Sequence, residues 1–442
     1  MSIFKAYDIR GVYPGELDEE MAGKIGLAFG KLFGGAVAVG MDMRLSSPSL
    51  KAAFLAGLHA NGSRVFDIGV VPTPLVYFAA AFSGFDAAVN VTASHNPKEF
   101  NGFKFCRKGG VCLSYETGIA EMEKMVAGAS PAKVSVKAET KDLVGDYVRY
   151  CLSKAALMKP LKVVIDAGNG TAGIVAPGIF RGLGCDVVEM YCEPDGDFPN
   201  HTPDPLVKAN LRDLQKRVVE AGADLGIAYD GDGDRVGFVD SEGKVIESND
   251  AFALFAKSAL STHKGAPVVF DVSCSSMIED VIRLAGGKPV ACRVGHSYIQ
   301  QAMLEKGCVL GGETSGHYYF RENFSYDDGI FASLKFAEIA SRLDIRKEVG
   351  ALPKYHTSDD TRVRCEDGRK FLVVEEIRRK LAAEGHRIID MDGVKVVFDD
   401  GWALMRASNT QPAIVTRWEA KDRESFDRIG SFVREAVGHA TG

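Results

Sequence analysis

Short apolar runs alternate with longer stretches of helical period along most of the chain. Three of these runs, at 36–42, 162–166 and 267–271, lead from apolar residues into an Asp, and a turn and a helical stretch follow each one. Short runs rich in Val and Ile predict buried strands, and the longer stretches predict the helices that connect parallel strands. The pattern therefore predicts an α/β fold built from three related units.

The last part of the chain has a different pattern, which favours an antiparallel sheet with helices on one face. It predicts a helix near 369–384, strands within 387–398, 402–406 and 413–419, and a terminal helix that ends near 437. We place domain boundaries where the pattern restarts. The predicted domains are 1–150, 151–248, 249–357 and 358–442.

Length, charge and cysteine usage narrow the class of protein. At about 150 residues per domain, a chain of 442 residues has three or four domains, and a net charge of −6 argues against a nucleic-acid partner. No window offers the roughly 18 uncharged apolar residues that a membrane span requires. The nine cysteines include no C-x-x-C pair, which indicates reduced core thiols. We expect a cytoplasmic protein, whose oligomeric state one sequence does not reveal.

Ligands of open α/β sheets bind beyond the carboxyl ends of strands, so polar turns that follow apolar runs are the candidate sites. The first such turn follows the run that begins at Ala87, and it contains Ser94 and His95 before Pro97. The pattern predicts an exposed serine at a strand end. A serine hydroxyl is a poor nucleophile unless a base, a metal or an attached phosphoryl group changes it, so an ordinary turn is an alternative.

The second turn contains three aspartates at alternate positions, Asp230, Asp232 and Asp234, separated by glycines. Carboxylates ~4 Å apart repel by about 4 kcal/mol in a partly buried site, so such a cluster predicts a bound cation. A calcium-binding EF-hand requires Gly at the sixth position and Glu at the twelfth, where this chain has Arg235 and Ser241. The pattern therefore favours Mg²⁺ completed by phosphate oxygens.

The third turn combines the carboxylate of Glu313, the hydroxyl of Ser315 and the imidazole of His317 among glycines. Carboxylates and hydroxyls of this kind suit a ligand rich in hydroxyl groups, such as a sugar. A flexible surface loop is the alternative interpretation.

The fourth turn follows a predicted strand and contains Arg406, Ser408, Asn409 and Thr410. The arginine offers a charged fork and the other three offer small donors, which together suit a phosphate group. A plain hairpin turn is equally consistent with these residues.

A glycine-rich segment, Gly168-x-Gly170-x-x-Gly173, follows an apolar run and has Glu189 about twenty residues later. This arrangement also occurs in dinucleotide-binding folds, so an NAD-dependent oxidoreductase is an alternative function. Its position in a middle unit and the aspartate cluster, which hydride transfer does not need, weigh against it. A non-catalytic sugar-phosphate binding protein is another alternative, and it would use the same turns without a phosphorylated Ser94.

Together the segments resemble the α-D-phosphohexomutase superfamily, in its phosphomannomutase/phosphoglucomutase branch. The main motifs are T-A-S-H-N-P at 92–97, D-G-D-G-D-R at 230–235, G-E-T-S-G-H at 312–317 and R-A-S-N-T at 406–410. Supporting motifs are Tyr7-Asp-Ile-Arg10-Gly, Val71-Pro-Thr-Pro74, Asn101-Gly-Phe-Lys104, Pro203-Asp-Pro-Leu206, Gly295-His296 and Asp327-Asp-Gly329. The resemblance spans essentially the whole chain.

The resemblance implies three similar α/β domains with mixed sheets and a C-terminal α+β domain with an antiparallel sheet, arranged around a central cleft. It also implies reversible phosphoryl transfer between C1 and C6 of mannose phosphates, and of glucose phosphates as well, through phosphoserine and a 1,6-bisphosphate. The implied cofactors are Mg²⁺ and a hexose 1,6-bisphosphate as activator. A phosphoglucosamine mutase is the alternative within the superfamily.

The resemblance further assigns roles to individual residues. Ser94 carries the phosphoryl group, and Ser94 with the three aspartates at 230, 232 and 234 binds the metal ion. Lys104 is the leading candidate for the acid and base. The residues expected to stabilise charge or assist are His95, Arg10, Arg235, His296 and His317. The residues expected to bind the substrate are Tyr7, Glu313, Ser315, Arg406, Ser408, Asn409 and Thr410.

Three positions depart from the family pattern. Ser273 follows a predicted strand where the family often has Lys, so a cationic contact to sugar or phosphate is missing there. Met41 stands where the family often has Arg, and Gln411 stands where Glu is common. Neither of these two touches the proposed chemistry, whereas Ser273 leaves the preference among mannose, glucose and glucosamine phosphates open.

Overall fold

The computed structural model describes residues 2–130, 136–366, 368–408 and 412–441, and it contains four sheets that follow one another along the chain. The first sheet has the strand order β1-β5-β4-β2-β3-β7, with β6 beside β5. Its central strands are parallel, whereas β5 is antiparallel to its neighbours, so the sheet is mixed. The elements of this unit are β1 (Ile9–Val12), α1 (Glu19–Phe33), β2 (Ala36–Met41), α2 (Ser47–Ala60), β3 (Arg64–Val70), α3 (Thr73–Phe82), β4 (Ala87–Val91), β5 (Phe100–Arg107), β6 (Val111–Cys112), α4 (Ala120–Ala127) and β7 (Glu139–Thr140).

The second and third units also have mixed sheets, with strand orders β12-β11-β10-β8-β9 and β14-β13-β15-β16. The elements of the second unit are α5 (Val144–Ser153), β8 (Lys162–Asp166), α6 (Ala176–Gly182), β9 (Asp186–Met190), α7 (Arg212–Ala221), β10 (Leu225–Tyr229), β11 (Val236–Asp240) and β12 (Val245–Ile246). Those of the third are α8 (Ser248–Thr262), β13 (Pro267–Asp271), α9 (Ser276–Leu284), β14 (Lys288–Cys292), α10 (His296–Lys306), β15 (Leu310–Gly312), β16 (Tyr318–Phe320), α11 (Gly329–Arg342) and α12 (Ile345–Gly350).

The fourth unit is an antiparallel sheet in which β17 and β18 both pair with β22, and β22, β21, β20 and β19 follow in order. The elements are β17 (His356–Thr357), β18 (Thr361–Arg364), α13 (Lys370–Ala383), β19 (Ile388–Ile389), β20 (Val394–Val397), β21 (Gly401–Ala407), β22 (Ala413–Ala420) and α14 (Arg423–Thr441). The predicted strand region 387–398 is two strands, because the chain turns back at Gly393, whose φ is 83°. Both helices pack on one face of the sheet.

The largest apolar cluster is continuous through the first three units. The first unit has a second core of its own, and so does the C-terminal unit. The predicted division at residues 150, 248 and 357 stays a prediction, and residue 150 lies within α5. In the described part of the chain, every helix is too short or too polar to cross a membrane. All nine cysteines are unpaired, and six of them are buried.

Buried strands deliver the candidate turns to one place. Both β4 and β10 are buried along their whole length, as the continuous apolar runs predict. The serine turn follows β4, the aspartate turn follows β10, and the turn with Glu313 follows β15. Polar residues therefore follow directly on strands whose ends are fixed by the core.

Candidate active site

Ser94 lies in the turn that follows β4. Its φ of 51° is in the left-handed region, which costs a non-glycine residue about 1 kcal/mol or more and is typical of functional turns. The Ser94 amide donates to Thr92 Oγ1 at 2.9 Å. The Ser94 hydroxyl donates to Asp230 Oδ2 at 2.5 Å and lies 3.2 Å from His95 Nδ1. The candidate serine therefore meets the aspartate turn of the next unit.

The prediction that Ser94 is exposed is wrong, because only 1% of its surface is accessible. The aspartate turn covers it on one side, and Arg44 lies behind the turn. The Arg44 guanidinium donates to the carbonyl oxygens of Ser94, Asn96, Pro97 and Phe100 at 2.6–3.0 Å. Four carbonyl groups on one planar donor fix the shape of the serine turn.

Asp230, Asp232 and Asp234 lie in the turn between β10 and β11, and all three are fully buried. Asp230 Oδ1 accepts the backbone N–H groups of Gly233 and Arg235, both at 3.1 Å, which shapes the turn. One carboxylate oxygen from each aspartate lies within 4.8 Å of the other two. The three carboxylates therefore converge on one point.

The aspartate cluster fits a hard divalent cation. Within the described parts of the chain, Asp232 Oδ1 and Asp234 Oδ1 are buried and accept no hydrogen bond. Burial, followed by the charges of the other two aspartates, raises the pKa of Asp230 well above its usual range. A cation among these oxygens would offset both costs. The cluster, with the Ser94 hydroxyl beside it, therefore has the donor set of a metal site.

Lys104 Nζ lies between two of the aspartates. It is 2.9 Å from Asp232 Oδ2, and it donates to Asp234 Oδ2. Burial alone would lower the pKa of Lys104, but the attraction of the aspartates, led by Asp232, outweighs it and raises this pKa. In this arrangement Lys104 is a cation and a proton donor. A role as base requires the pairing with the aspartates to weaken first, and that role stays a prediction.

His95 and His296 are both close to the cluster, and their pKa values shift in opposite directions. Burial, followed by the neighbouring cations of which Arg235 is the strongest, lowers the pKa of His95 well below its usual range, so its ring is neutral. Burial alone would lower the pKa of His296 too. Asp327 raises it, because its Oδ2 lies 3.6 Å from His296 Nδ1.

His317 links the aspartate turn to the turn of the third unit. Its Nδ1 lies 2.7 Å from Ser315 Oγ, and its Nε2 lies 3.4 Å from Asp234 Oδ1. Arg235 Nε donates to His317 Nε2 at 3.3 Å, and the backbones of these two residues form an antiparallel bridge. His317 is thereby fixed beside the carboxylate cluster.

Tyr7 and Arg10 form the first-unit side of the site. Arg10 donates to Asn96 Oδ1 at 2.7 Å and to Asp8 Oδ2 at 2.6 Å. The Tyr7 ring packs edge-on against His296, with 5.0 Å between the ring centroids. Burial, followed by the charge of Asp8, raises the pKa of Tyr7, so its hydroxyl keeps its proton.

Glu313 and Ser315 lie in the turn between β15 and β16. Glu313 Oε2 accepts the Gly295 amide at 3.0 Å, and Glu313 Oε1 accepts the Tyr319 hydroxyl. Burial raises the pKa of Glu313. These contacts leave the residue fixed at the wall of the cleft, with Ser315 beside it.

Arg406 lies at the end of β21 and lines the cleft from the C-terminal unit. Ser408 follows it and is 5% exposed. The other predicted members of this phosphate site, Asn409 and Thr410, lie outside the described residues, as does Gln411.

The candidate turns meet at one cleft with a volume of about 1010 Å³, large enough for a small-molecule ligand. All four units contribute to its wall. The predicted site residues in the wall are Tyr7, Arg10, His95, Lys104, Arg235, His296, Glu313, Ser315, His317 and Arg406. Ser94 and the aspartates lie behind this wall, in contact with it through Lys104 and His95.

Two residues of the site had only a weak signal in the sequence. Thr73 Oγ1 donates to Asp232 Oδ2 at 2.6 Å. Asp327 is 1% exposed and lies between His296 and His317, and its carboxylate accepts no hydrogen bond from any described residue. Both lie in supporting motifs of the sequence, but chain order alone does not show that they reach the aspartate cluster.

The glycine-rich segment that suggested a dinucleotide fold supports the aspartate turn instead. A Cβ atom at Gly170 would lie 2.7 Å from the carbonyl oxygen of Gly231. The Thr171 amide donates to that same oxygen at 3.0 Å. Glycine is therefore needed for the close approach of two turns, which accounts for the motif without a nucleotide.

The chain matches four family models in succession. Residues 1–131, 145–243 and 247–355 match the α/β/α domains I, II and III of phosphoglucomutase/phosphomannomutase, and residues 361–436 match the C-terminal domain. The chain belongs to the phosphoglucomutase/phosphomannomutase family. The resemblance, the fold class and the enzyme class predicted from the sequence are confirmed. Members of this family use a metal ion, and the aspartate cluster has the donors to bind one.

Individual relatives agree with the family assignment over nearly the whole chain. A phosphomannomutase/phosphoglucomutase from Pseudomonas aeruginosa is 40% identical over 443 residues, which cover 99% of this chain and 95% of that protein. A phosphoglucomutase from Neisseria gonorrhoeae is 38% identical, with coverage of 97% and 95%. The crystal structure of a phosphoglucomutase/phosphomannomutase family protein from Burkholderia thailandensis superposes with a TM-score of 0.90 at 37% identity, covering 99% of this chain and 97% of that one.

Proposed function

We propose that this enzyme reversibly transfers a phosphoryl group between C1 and C6 of hexose phosphates, with mannose and glucose phosphates as substrates. One observation carries the proposal: the Ser94 hydroxyl lies 2.5 Å from Asp230 within a convergent carboxylate cluster, beside a cleft lined by cationic side chains. The Pseudomonas and Neisseria relatives bear the names of these activities.

The reaction requires a phosphorylated Ser94. The sugar hydroxyl attacks phosphorus, the bond from phosphorus to Ser94 Oγ breaks, and the hydroxyl proton passes to a base. The product is a hexose 1,6-bisphosphate, which then returns its other phosphoryl group to Ser94 as a proton returns to the sugar oxygen. Phosphate and protons therefore balance over one cycle. Added hexose 1,6-bisphosphate serves as activator, because it phosphorylates any unmodified serine.

Side chains of the cleft supply the charge and the protons. Mg²⁺ bound by Asp230, Asp232, Asp234 and a phosphoserine oxygen would offset the charge that develops on the transferring group. Lys104 donates a proton to the departing oxygen or stabilises its negative charge. The neutral ring of His95 can accept a proton, and His317, held by Ser315 and Arg235, assists beside it. The groups that stabilise charge are Arg10, Arg235 and His296.

Two further groups of residues bind parts of the substrate that lie away from the transferring phosphoryl group. Glu313 accepts hydrogen bonds from sugar hydroxyls, Ser315 exchanges hydrogen bonds with them, and Tyr7 packs beside both. Arg406, Ser408, Asn409 and Thr410 hold the phosphate that does not react. Since either phosphate must reach Ser94, the bisphosphate binds in two orientations, and the wide cleft provides space for this reversal.

The proposal is tested by intact-protein mass spectrometry of enzyme treated with glucose 1,6-bisphosphate. A fraction of the protein should carry one phosphate, and Ser94→Ala should lose both this fraction and turnover. Full activity in a protein without phosphate would contradict the mechanism. A protein that only binds sugar phosphates would bind glucose 1-phosphate without phosphorylation of Ser94.

Substrate preference is tested by the values of kcat/KM for mannose 1-phosphate, glucose 1-phosphate and glucosamine 1-phosphate in the presence of the activator. Mannose and glucose present the same O3 and O4 to Glu313 and Ser315 and differ only at C2, so comparable values are expected. A clear preference for the amino sugar would instead favour phosphoglucosamine mutase.

A further inference from the structure

One face of the C-terminal sheet carries positive charge toward the cleft. In the register of β21 and β22, Leu404 lies opposite Arg417, and Arg406 lies opposite Val415. Because alternate residues of a strand share a face, these four side chains point the same way, and all four line the cleft. The two helices of the unit pack on the other face. Arg417 is thus on the cleft side of the sheet, two residues along the strand from the partner of Arg406.

Arg417 is poorly satisfied by its own protein. Its side chain is 15% exposed, and its Nε is buried without a hydrogen-bond partner among the described residues. Its nearest carboxylate is Asp360, with 3.5 Å between NH1 and Oδ1. A guanidinium has five N–H donors, and a buried donor without a partner is unfavourable. This state suits a side chain that completes its hydrogen bonds with a ligand.

The facing turn of the third unit provides hydroxyl groups and no positive charge of its own. Val272, which follows β13, packs on Leu404 of the same sheet face. Ser273 comes next and lines the cleft; its hydroxyl donates to Asp271 and lies 3.0 Å from Thr314 Oγ1. Positive charge at this end of the cleft therefore comes from the C-terminal sheet.

Arg406 alone gives little net positive charge to the part of the cleft between the C-terminal sheet and the Ser273 turn. Asp392 Oδ2 lies 3.6 Å from Arg406 NH1, and the carboxylate offsets part of the charge of the arginine. A phosphate monoester carries nearly two negative charges at neutral pH, and planar guanidinium groups bind its oxygens best. Arg417 on the same sheet face adds guanidinium donors, one of which is its Nε, unpaired among the described residues, while Asp360 offsets part of its charge. Arg362, opposite Val415 on β18, also lines the cleft.

We propose that Arg417 binds the non-reacting phosphate together with Arg406, and that it supplies a positive charge to the part of the cleft that Ser273 leaves uncharged. This inference rests on the proposed function. It adds a substrate-binding residue to the phosphate site at Arg406.

The test compares Arg417→Gln and Arg417→Lys with the wild-type enzyme. Arg417→Gln should raise KM for glucose 1-phosphate at least tenfold and change kcat less than threefold, since the phosphate it holds does not react. Arg417→Lys keeps the positive charge but loses the planar guanidinium, so its KM should lie between those of the wild type and Arg417→Gln. An unchanged KM in Arg417→Gln would overturn the proposal.

Two control variants separate phosphate binding from structural effects. Arg428→Gln removes a charge of the same unit from an exposed ion pair with Asp400, and it should leave KM unchanged. Asp360→Asn removes the carboxylate next to Arg417 and should not raise KM. If Asp360→Asn raised KM as much as Arg417→Gln, the role of Arg417 would be an ion pair within the protein, and the proposal would fail.

Binding of inorganic phosphate, measured by calorimetry, separates failure of this inference from failure of the proposed function. If wild-type enzyme bound phosphate and Arg417→Gln bound it at least fivefold more weakly, the site would stand even without mutase turnover. Equal binding by wild type and Arg417→Gln would overturn the site, whatever the turnover.

Discussion

The two carboxylate oxygens of Asp232 have different surroundings in this site. Its Oδ2 is satisfied by Thr73 and Lys104, whereas its Oδ1 is buried and accepts no hydrogen bond from the described residues. Structural carboxylates are normally satisfied at both oxygens. This oxygen and Asp234 Oδ1, which is orphaned in the same way, are therefore well placed to bind a cation.

We expect Asp232→Asn to lower kcat at least a hundredfold, about 2.7 kcal/mol in the barrier, and to change KM much less. The amide keeps the size of the side chain but loses the charge that stabilises the metal ion and the transition state. Steady-state kinetics and a Mg²⁺ titration would measure both effects. The control is Asp240→Asn, because Asp240 accepts backbone amides in the hairpin after β11. A rise in KM as large as the fall in kcat for Asp232→Asn would contradict a metal role.

Arg44 acts on the reactive serine through the backbone. Its side chain is fully buried, and its guanidinium holds four carbonyl groups of the serine turn. A lysine ammonium cannot donate to all four carbonyl groups. Arg44→Lys should therefore lower the free energy of unfolding by about 3 kcal/mol, and it should also reduce kcat. Urea unfolding and kinetics would measure the two effects. Arg64→Lys, at an exposed position 3.5 Å from Glu139, should change stability by less than about 0.5 kcal/mol.

At the scale of elements, the sequence predicts local structure but not the contacts between residues that are distant in the chain. The turns with Ser94 and Asp230 were found because each follows a buried strand directly. The burial of Ser94 was missed because the residues that cover it are distant in the chain: Arg44 lies 50 positions earlier, and Asp230 lies 136 positions later. Hydrogen bonds of this separation leave no periodic signal in the sequence.

A helix and a strand region of the C-terminal unit show the same difference between local structure and distant contacts. The predicted helix 369–384 is observed as α13, Lys370–Ala383, because its apolar spacing is a local property. The predicted strand region 387–398 is divided by the turn at Gly393, where a Cβ atom would lie 2.5 Å from the carbonyl oxygen of Met405. That restriction comes from the neighbouring strand, so the residues of the run itself do not reveal it.

Asp250 makes helix α8 sensitive to pH. It lies in the first turn of the helix, and burial raises its pKa to about 6, with Lys354 opposing the shift and Glu247 adding to it. Because the folded pKa lies above the unfolded value of about 3.9, the contribution to stability is complete below about pH 4. It is lost as the pH rises through 6.

We therefore expect Asp250→Asn to gain stability relative to the wild type as the pH rises, by roughly 1 kcal/mol between pH 5 and pH 8. Urea unfolding at several pH values would measure this difference. Glu279→Gln, an exposed first-turn position in α9, is the matched control and should show no such trend. A difference between Asp250→Asn and wild type that stays constant with pH would contradict the burial argument.

At the scale of the whole molecule, the C-terminal unit has a core that is separate from the cores of the first three units. The largest of these cores is continuous through the first three units, and it positions Ser94, the aspartates and Glu313. The C-terminal unit meets the third unit through a small apolar cluster of Val272, Trp402 and Leu404 and through hydrogen bonds such as that from Lys395 to the Val272 carbonyl. The phosphate site of the fourth unit is thus attached to the reaction centre by a modest interface, which favours relative motion.

This arrangement predicts that the C-terminal unit opens at lower free energy than the rest of the chain. In hydrogen exchange followed by mass spectrometry, peptides from β20 to α14 should exchange faster than peptides from β4 and β10. Glucose 1,6-bisphosphate should slow exchange in the C-terminal unit, because a ligand that spans the cleft stabilises the closed arrangement by mass action. Arg406→Ala should remove most of that protection and leave the exchange of the free enzyme unchanged. Uniform exchange across all four units of the free enzyme would mean that the fourth unit is fixed without its ligand. Equal protection in wild type and Arg406→Ala would mean that Arg406 does not link the ligand to this unit.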